Sequence, residues 1–475
     1  MRAGLGWNRR EILSAAAGGA AGTMPARIAR ASGASRRPNI VLIVADDLGY
    51  GHLGCYGQKL IHTPVLDKMA SEGVQFRQFY SGSTVCAPSR CVLMTGRHTG
   101  HCSIRANSGG VSLLKNEFTL GNLAQRAGYR TGAFGKWGLG DACSDGTPDQ
   151  HGFDEFFGYL HQAHAHSYYP EYLWRNTERV PLRGNRGGAK KQYSHDVIFQ
   201  EALRFVRDNA RKPFFLYLPV TIPHADLAVP EDSLAEYLGQ FPETPYAGDP
   251  AAHRPPIPAP RATFAGMVTR MDRCIGELFR LLSALRLEQD TLVMFTSDNG
   301  PAGAGTAADP KFFNGAGGLR GIKRDLYEGG IRVPMIARWP GVIAPRVDET
   351  SVWTFWDMLP TLAELLRATP PADIDGASAL SAVVGNAPLQ RPLHELLYWE
   401  FGTVQAVRMG SWKGLRKGPS RPLEVYNLDR DLTESNNVAV EQPRVVEAIE
   451  RYLQTARVAP PPQVEPCATP AKPYA

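Results

Sequence analysis

The sequence lacks the features of a protein that has structural zinc sites, spans a membrane or binds nucleic acid. Its seven cysteines include no Cys-x-x-Cys pair and no spacing typical of a structural metal site. No stretch reaches the roughly 20 apolar residues that a transmembrane helix requires. No basic run is interleaved with aromatic residues, so the formal net charge of +6 does not indicate nucleic-acid binding. We therefore expect neither a membrane span nor a nucleic-acid partner.

Much of the positive charge lies at the N-terminus. Arg9 and Arg10 form a pair ahead of an Ala- and Gly-rich apolar stretch, and residues 29–31 offer a small-x-small cleavage pattern. This order is typical of a twin-arginine export signal. Residues 1–31 are therefore predicted to be a signal peptide, and the mature protein to be periplasmic or secreted. The alternative is a leader with a chance arginine pair.

The odd number of cysteines leaves at least one thiol unpaired. A disulfide between Cys91 and Cys102 stays open at this stage, and most of the cysteines are expected to be small buried apolar residues. Cys86 differs from them because Pro88 and Arg90 follow it closely.

Three apolar runs rich in β-branched or aromatic residues predict strands of a buried sheet. They span residues 39–45, 213–218 and 291–296. Segments with helical spacing lie between them, over 119–126 and 262–285, and Gly128 is expected to cap the first of these helices. Such alternation predicts an α/β fold with a large central mixed, mainly parallel sheet flanked by helices.

Two further stretches have the composition of functional loops. Residues 161–175 are rich in His and Tyr, and residues 302–318 in Gly and Ala, so neither is expected to form regular structure. The Pro-, Ala- and Asp-rich stretch 370–388 indicates a boundary. The predicted organisation is a catalytic domain over 37–370, a C-terminal α+β subdomain of short strands and a helix over 390–456, and a flexible tail over 459–475.

Acidic residues directly follow two of the predicted strands. Asp46 and Asp47 come after the first strand, and Asp298 and Asn299 after the third. In open α/β sheets, ligands bind beyond the carboxyl ends of strands. Three carboxylates and an amide oxygen favour a hard ion, Ca²⁺ or Mg²⁺, over zinc. Each motif alone is also a common turn, so their combination carries the prediction of a metal site.

The most informative segment is Cys86-Ala-Pro-Ser-Arg90, followed by Thr-Gly-Arg at 95–97. A Cys at the start of a predicted helix, with Arg90 nearby, is open to interpretation as an activated thiolate. The N-terminus of a helix and the positive charge of an arginine each lower the pKa of a thiol. The pattern also resembles the signature of the sulfatase family. In that family the Cys is oxidised during biosynthesis to formylglycine. One hydroxyl of its hydrate attacks sulfur to give a covalent sulfate ester, and the other expels sulfate.

The resemblance extends from residue 38 to residue 452 with the motifs in family order. It implies an alkaline-phosphatase-like fold and a maturation step by a formylglycine-generating enzyme. It also implies one Ca²⁺ ion. The ligands that it implies are Asp46, Asp47, Asp298, Asn299 and the residue made from Cys86.

The resemblance assigns roles to cationic residues as well. Lys136, in Gly-Lys-Trp, matches a contact to sulfate and the bridging oxygen; His224, in Pro-His, matches the group that protonates the leaving oxygen. Lys323, within the block 319–334, matches a second sulfate contact. Arg90 and the two lysines are expected to neutralise sulfate oxygens in the transition state. Taken alone, each lysine is more often an exposed surface residue.

One position departs from the family pattern. Most members have a His two residues after the Lys, where this chain has Gly138. That His contacts the formylglycine hydrate, so another residue replaces it, the second step is slowed, or the chemistry has changed. His164 and Gln162 are the expected replacements. The alternative is that their loop only shapes the substrate pocket.

The expected function is hydrolysis of sulfate esters, with a sulfated carbohydrate or an aryl sulfate as substrate. Tyr168, Tyr169 and Trp174 suit stacking on a sugar or aryl ring, and the stretch 168–176 resembles that of arylsulfatases and N-acetylgalactosamine sulfatases. Two alternatives stay open: a formylglycine-dependent phosphonate or phosphodiester hydrolase, and a non-catalytic glycan-binding relative. The retained nucleophile, lysines and metal-ligand set argue against the second.

Overall fold

The computed structural model describes residues 37–107, 111–249, 255–303 and 306–462. The predicted signal peptide at 1–31 and most of the predicted tail lie outside these residues. Within the described ranges, no helix combines the length and the apolar character that crossing a bilayer requires.

A ten-stranded mixed sheet forms the centre of the molecule. The strands of this sheet and of a separate two-stranded pair are β1 (Asn39–Ala45), β2 (Val74–Phe76), β3 (Phe79–Tyr80), β4 (Arg130–Lys136), β5 (Glu155–Tyr159), β6 (Tyr172–Arg175), β7 (Glu178–Pro181), β8 (Phe214–Pro219), β9 (Thr291–Ser297), β10 (Met335–Arg338), β11 (Arg346–Asp348) and β12 (Trp353–Thr354). The order in the large sheet is β11-β2-β10-β9-β1-β8-β4-β5-β6-β7. The strands from β9 to β5 in this order pair in parallel, and β10, β6 and β7 pair antiparallel with their neighbours. The separate pair is formed by β3 and β12.

Helices cover both faces of this sheet. Alternate side chains of β1 show the arrangement: Leu42 belongs to one apolar cluster and Ile43 to another, and both are fully buried. This is the three-layered α/β architecture that the alternating strands and helices predict. The helices are α1 (Pro64–Ser71), α2 (Cys86–Thr95), α3 (Leu120–Arg126), α4 (Ser194–Asp208), α5 (Glu231–Ala235), α6 (Pro260–Ala284), α7 (Glu328–Ile331), α8 (Met358–Leu366), α9 (Leu380–Val384) and α10 (Pro443–Leu453).

The strongest sequence patterns are confirmed within one or two residues, as β1, β8, β9, α3 and α6 show. Helix α3 begins after Thr119, whose side chain accepts a hydrogen bond from the Asn122 amide. Its C-cap is Ala127, and Gly128 follows in the left-handed conformation with φ 79°. The predicted cap is therefore one residue too late, because Ala127 is the C-cap and Gly128 occupies the next position, where a left-handed glycine commonly ends a helix.

The stretch 161–175 was expected to lack regular structure, and this expectation is wrong. It contains a 3₁₀ helix at His164–His166 and strand β6, which pairs with β5 and β7 at the edge of the sheet. The backbone of the loop is ordered by pairing with distant strands, which its local composition does not reveal. The stretch 302–318 has no helix or strand in its described part, as expected.

A four-stranded antiparallel sheet forms the C-terminal part of the structure. One of its faces packs on α10, where Val407 contacts the cluster that holds Ile449. Trp399 and Ala406 join the main core from the other face. The predicted α+β subdomain is confirmed, and its limits at 390–456 stay a prediction. Its strands are β13 (Leu397–Phe401), β14 (Val404–Met409), β15 (Trp412–Arg416) and β16 (Glu424–Asn427).

Cys91 and Cys102 are both buried free thiols. Cys91 Sγ lies 3.7 Å from the hydroxyl of Ser103. The disulfide left open by the sequence is therefore not formed between them.

Candidate active site

The predicted metal ligands meet at the carboxyl ends of β1 and β9. These strands pair in parallel with Ala45 opposite Ser297, so the two polar pairs that follow them become neighbours. The Asp47 amide donates to Asp298 Oδ1 at 3.0 Å, and Asn299 Nδ2 donates to Asp47 Oδ1 at 2.8 Å. Asp46 and its three partners are buried. The structure brings these four side chains together, and their role as metal ligands stays a prediction.

Cys86 starts helix α2 and points its sulfur into the same cluster. Its Sγ lies 3.4 Å from Asp46 Oδ1 and 3.8 Å from Asp47 Oδ1. The residue is fully buried. The proposed nucleophile position and the proposed metal ligands therefore form one site.

Two lysines balance these carboxylates. Lys136, the last residue of β4, donates from Nζ to Asp46 Oδ2 at 2.7 Å and is fully buried. Lys323 Nζ donates to both oxygens of Asp47, at 2.6 and 2.7 Å, and lies 3.4 Å from Cys86 Sγ. Most lysines are exposed at the protein surface, whereas these two side chains are buried or nearly so. Both ammonium groups are placed beside the nucleophile position.

Arg90 lies in a different position from the one expected for a sulfate contact. Its Nε and Nη2 donate to Asp298 Oδ2 at 3.0 and 2.8 Å, and Nη1 donates to the Lys136 carbonyl at 2.8 Å. The side chain is fully buried on helix α2. Arg90 therefore fixes the acidic cluster from behind, and its donors are engaged by protein groups.

Burial and charge pairing shift the pKa values of these groups in opposite directions. Burial favours neutral Asp46, but Lys136, followed by His224 and Arg90, holds the pKa of Asp46 well below its ordinary value. Burial and then the charge of Asp46 raise the pKa of Asp298 to about 6, against the opposing effect of Arg90.

The thiol of Cys86 is not activated by its surroundings. Burial raises its pKa to about 12, and the opposing effects of Lys136 and Lys323 are smaller. The reading of Cys86 as a thiolate activated by the helix N-terminus and Arg90, which the sequence leaves open, gains no support here, because Arg90 is paired with Asp298 and burial raises the pKa of the thiol.

The donor set suits a hard divalent cation. Carboxylate oxygens of Asp46, Asp47 and Asp298 converge with Asn299, whose Oδ1 is buried without a hydrogen-bond partner among the described residues. All of these donors are oxygens, the ligands that Ca²⁺ and Mg²⁺ prefer. A cation held there would use the orphaned amide oxygen, so the residues fit the predicted ion.

His224 lies in the loop after β8 and faces this cluster. Its Nε2 is 3.6 Å from Asp47 Oδ2 and 3.5 Å from Lys323 Nζ. The loop is held by Tyr168, whose hydroxyl donates to the carbonyls of Thr221 and His224 at 3.0 and 3.1 Å. The imidazole is thus positioned at the mouth of the site, as the Pro-His motif predicts.

His164 and Gln162, the expected replacements for the missing His at position 138, occupy different places. His164 is fully buried between Tyr159 and Tyr172, with ring centroids 4.9 and 4.6 Å away, and it does not line the cavity over the site. A Cβ atom on Gly138, which has φ 72°, would lie 2.4 Å from Gln162 Oε1. Gln162 therefore fills the space of a side chain at 138, and His164 does not.

Gln162 is linked to the start of helix α2 by one intermediate residue. Its Nε2 donates to Asn107 Oδ1 at 2.9 Å, and the same oxygen accepts the Ala87 amide at 3.0 Å. Asn107 lines the cavity. Asn107 belongs to no motif that could have identified it, because its partners are distant along the chain.

A cavity of about 880 Å³ opens over Asp47, His224 and Lys323. Tyr168 and Trp174 are buried in the core, and Tyr169 packs against one of its clusters. None of the three lines this cavity, so the structure does not place them for stacking on a substrate bound there. Other described residues that line it include Asn107, His166, Ile322, Arg324 and Phe401.

Comparison with known proteins agrees with this site. The family model described as "Sulfatase" matches residues 38–368. The chain belongs to the sulfatase family. A second model, "N-sulphoglucosamine sulphohydrolase, C-terminal", matches residues 321–458 of this sulfatase. The enzyme is therefore a sulfuric ester hydrolase.

Individual relatives match over most of their length. The sulfatase is 32% identical over 439 residues to an N-acetylgalactosamine-6-sulfatase of Canis lupus familiaris, covering 86% of this chain and 76% of the relative. It is 28% identical over 516 residues to an N-acetylgalactosamine-6-O-sulfatase of Bacteroides thetaiotaomicron, covering 89% and 94%. A solved structure from work on glycosaminoglycan metabolism by that bacterium, labelled 6S-sulf, superposes with a TM-score of 0.75 at 26% identity, covering 89% of this chain and 99% of that one. The alkaline-phosphatase-like fold is confirmed.

Proposed function

We propose that this sulfatase removes sulfate from sulfated sugars, using formylglycine made from Cys86 and one bound Ca²⁺ ion. The observation that carries the proposal is the position of Cys86 Sγ, 3.4 Å from both Asp46 Oδ1 and Lys323 Nζ. A nucleophile made at this position faces the metal-ligand set on one side and a lysine on the other. The high pKa of the unmodified thiol supports modification over direct attack by sulfur.

The substrate class is supported by the names of the relatives and by the cavity. Two matched relatives are described as N-acetylgalactosamine 6-sulfatases. A volume of about 880 Å³ is in the range of pockets that enclose a ligand of sugar size. Lys323 and Arg324 add positive charge at its wall, which suits an anionic substrate. A simple aryl sulfate is expected to react as a generic substrate.

The residues of the chain account for most of the proposed chemistry. When present, Ca²⁺ supplies positive charge to the sulfate oxygens and the formylglycine hydrate supplies the nucleophilic hydroxyl. Asp46, Asp47, Asp298 and Asn299 would hold the ion. Arg90 keeps Asp298 in place through two hydrogen bonds.

The lysines and His224 act on the sulfate and the leaving group. Lys136, which is fully buried, and Lys323, whose side chain is 13% exposed, stabilise the negative charge of sulfate oxygens. His224 gives a proton from Nε2 to the bridging oxygen while the sulfur–oxygen bond breaks and its electron pair moves to that oxygen. The imidazole is within 3.6 Å of both Asp47 and Lys323, which supports this role.

Sulfate release from N-acetylgalactosamine 6-sulfate, followed by ion chromatography, tests the proposal. The full chain is produced together with a formylglycine-generating enzyme, its expected maturation partner, and compared with a Cys86→Ala variant. We expect release by the wild type and none by the variant. Turnover of a phosphonate monoester or a phosphodiester, with no sulfate released from any ester, would contradict the proposal and favour the alternative hydrolase.

We also propose that the protein is exported through its N-terminal twin-arginine pattern. The support is the order of charged, apolar and small residues over 1–31. Fractionation of cells that express the full chain and an Arg9→Lys/Arg10→Lys variant tests this. Loss of export in the variant is expected, and unchanged export would contradict a twin-arginine route.

A further inference from the structure

The His224 ring is held on its far side by two side chains that no family motif predicted. Its Nδ1 lies 3.4 Å from Asp226 Oδ2. The His166 ring stacks on it with centroids 4.3 Å apart and an interplanar angle of 23°. His166 Nδ1 is 3.2 Å from the same Asp226 oxygen. One carboxylate is therefore shared by two stacked imidazoles.

This arrangement is built by two distant parts of the chain. Asp226 follows His224 by two residues, and His166 belongs to the loop between β5 and β6. Tyr168 joins the two segments, because its hydroxyl donates to carbonyls at 221 and 224. The side chains of His224 and Asp226 are 6% and 11% exposed, so bulk water competes weakly for their contact.

We propose that Asp226 and His166 are positioning residues for His224, fixing which ring nitrogen faces the reacting sulfate. This inference rests on the proposed role of His224. A carboxylate only accepts hydrogen bonds, so Asp226 favours a proton on His224 Nδ1 and keeps that edge of the ring turned away from the cavity. Nε2 then faces Lys323 and Asp47, where the bridging oxygen is expected. The stacked His166 ring blocks rotation about the side chain.

The proton balance of the step is simple. The Nε2 proton moves to the bridging oxygen as the sulfur–oxygen bond breaks, and the nitrogen keeps the electron pair. The Nδ1 proton stays on His224 beside Asp226. Asp226 accepts no proton in this step, and its function is orientation, as for the carboxylate that orients a catalytic histidine in hydrolases.

The dependence of the rate on the leaving group separates this role from a general structural one. A sugar alkoxide is a poor leaving group and needs the proton from His224, whereas 4-nitrophenolate leaves without one. We expect Asp226→Asn to lower kcat/KM on N-acetylgalactosamine 6-sulfate about 10- to 100-fold. On 4-nitrophenyl sulfate the same variant is expected to lose less than about 3-fold.

His166 gives a matched pair of variants. His166→Phe keeps a flat ring for stacking and removes the contact to Asp226, whereas His166→Ala removes both. We expect His166→Ala to show the same selective loss on the sugar sulfate, and His166→Phe a smaller one. Thermal unfolding of each variant is measured beside the wild type, so that only folded proteins enter the comparison.

A double-variant cycle with His224→Asn completes the test. If Asp226 acts through His224, adding Asp226→Asn to His224→Asn has no further effect on the sugar sulfate. An equal loss on both substrates, no loss on either, or full additivity in the double variant would overturn the inference. A wild type that is active on both esters keeps the proposed function intact in those cases. A matured wild type that releases sulfate from neither ester would overturn the proposed function and this inference with it.

Discussion

Lys323 donates to both carboxylate oxygens of Asp47, at 2.6 and 2.7 Å, and so binds a residue that is also a predicted metal ligand. The opposite side of the cluster has the equivalent pair, Lys136 with Asp46 at 2.7 Å. With Arg90 on Asp298, three cationic side chains face three carboxylates. A divalent cation and an anionic sulfate ester entering this site would share these partners, so ion binding, substrate binding and the lysines are coupled.

The first prediction concerns Lys323. Lys323→Ala is expected to lower kcat/KM on sulfate esters by at least about 100-fold, because it removes a charge placed beside the nucleophile position. Lys311→Ala is the matched control, since Lys311 is exposed on the same stretch of chain. Steady-state sulfate release measures both variants. Similar activity of the two would remove Lys323 from the catalytic site.

The second prediction concerns the bound ion. Because the ion binds the folded state alone, Ca²⁺ at about 100 times its dissociation constant should stabilise the protein by about 2.7 kcal/mol. Thermal unfolding with Ca²⁺ and with a chelator measures the difference. Asp47→Asn should abolish it, whereas Asp429→Asn, at an exposed carboxyl, should leave it unchanged. An identical Tm with Ca²⁺ and with chelator would argue against the metal site.

The third prediction concerns a buried ion cluster outside the active site. Lys413 Nζ lies 2.9 Å from a carboxylate oxygen of Glu328 and 2.9 Å from one of Glu434, and it is fully buried. It joins the C-terminal sheet to helix α7. Lys413→Met leaves two buried carboxylates without their shared cation and should cost about 3–5 kcal/mol of unfolding free energy.

Urea-induced unfolding measures that loss. Lys417→Met is the control, because Lys417 is half exposed and pairs with Glu424 at 2.9 Å. It should cost less than about 1 kcal/mol. A loss at Lys413 as small as that at Lys417 would show that the cluster adds little to the attachment of the C-terminal sheet.

The fourth prediction is a pH dependence of stability. Burial lowers the pKa of His394, but the Asp357 carboxylate, 2.6 Å from Nε2, outweighs it and raises the pKa above its usual value. A raised folded-state pKa means that the charged pair stabilises the protein fully below about pH 6.5 and loses this contribution as pH rises through the folded-state value. Urea unfolding of the wild type and His394→Gln between pH 5.5 and about 9 should show their difference shrinking with pH. A constant difference would contradict this.

The fifth prediction concerns Gln162, which fills the space beside Gly138. Gln162→Ala releases Asn107, the acceptor of the Ala87 amide next to the nucleophile position. We expect kcat on sulfate esters to fall about 10-fold while the Tm changes little, because the pair orders the first turn of helix α2. Gln125→Ala, at an exposed glutamine on helix α3, is the control. An unchanged kcat would mean that Gln162 does not take over the function of the His that most family members have at position 138.

The parts that follow from local sequence were predicted correctly. The buried strand at 39–45 and the polar pairs at both strand ends predict that Asp46, Asp47, Asp298 and Asn299 meet, because parallel neighbours bring their carboxyl ends to one edge. The direction of Arg90 was not predictable in this way. Its guanidinium is bound by Asp298 and the Lys136 carbonyl, two groups that only the folded chain brings together.

The loop 161–175 also shows what local sequence does not predict. Its His and Tyr content predicts substrate contacts, but Trp174 is buried in β6, which pairs with β5 and β7, and His164 is buried in the 3₁₀ helix before that strand. His166, two residues after His164, lines the cavity instead and stacks on His224. Composition identified the functional segment, and tertiary pairing decided which of its side chains face the site.

The most direct measurement is the mass of the peptide that contains residues 85–90, taken from protein made in its native host or together with a formylglycine-generating enzyme. We expect a mass in which the Cys86 thiol is replaced by an aldehyde, and we expect the modified fraction to rise with sulfate-releasing activity. Unmodified Cys86 in protein that fully releases sulfate would contradict it, because catalysis would then use another nucleophile.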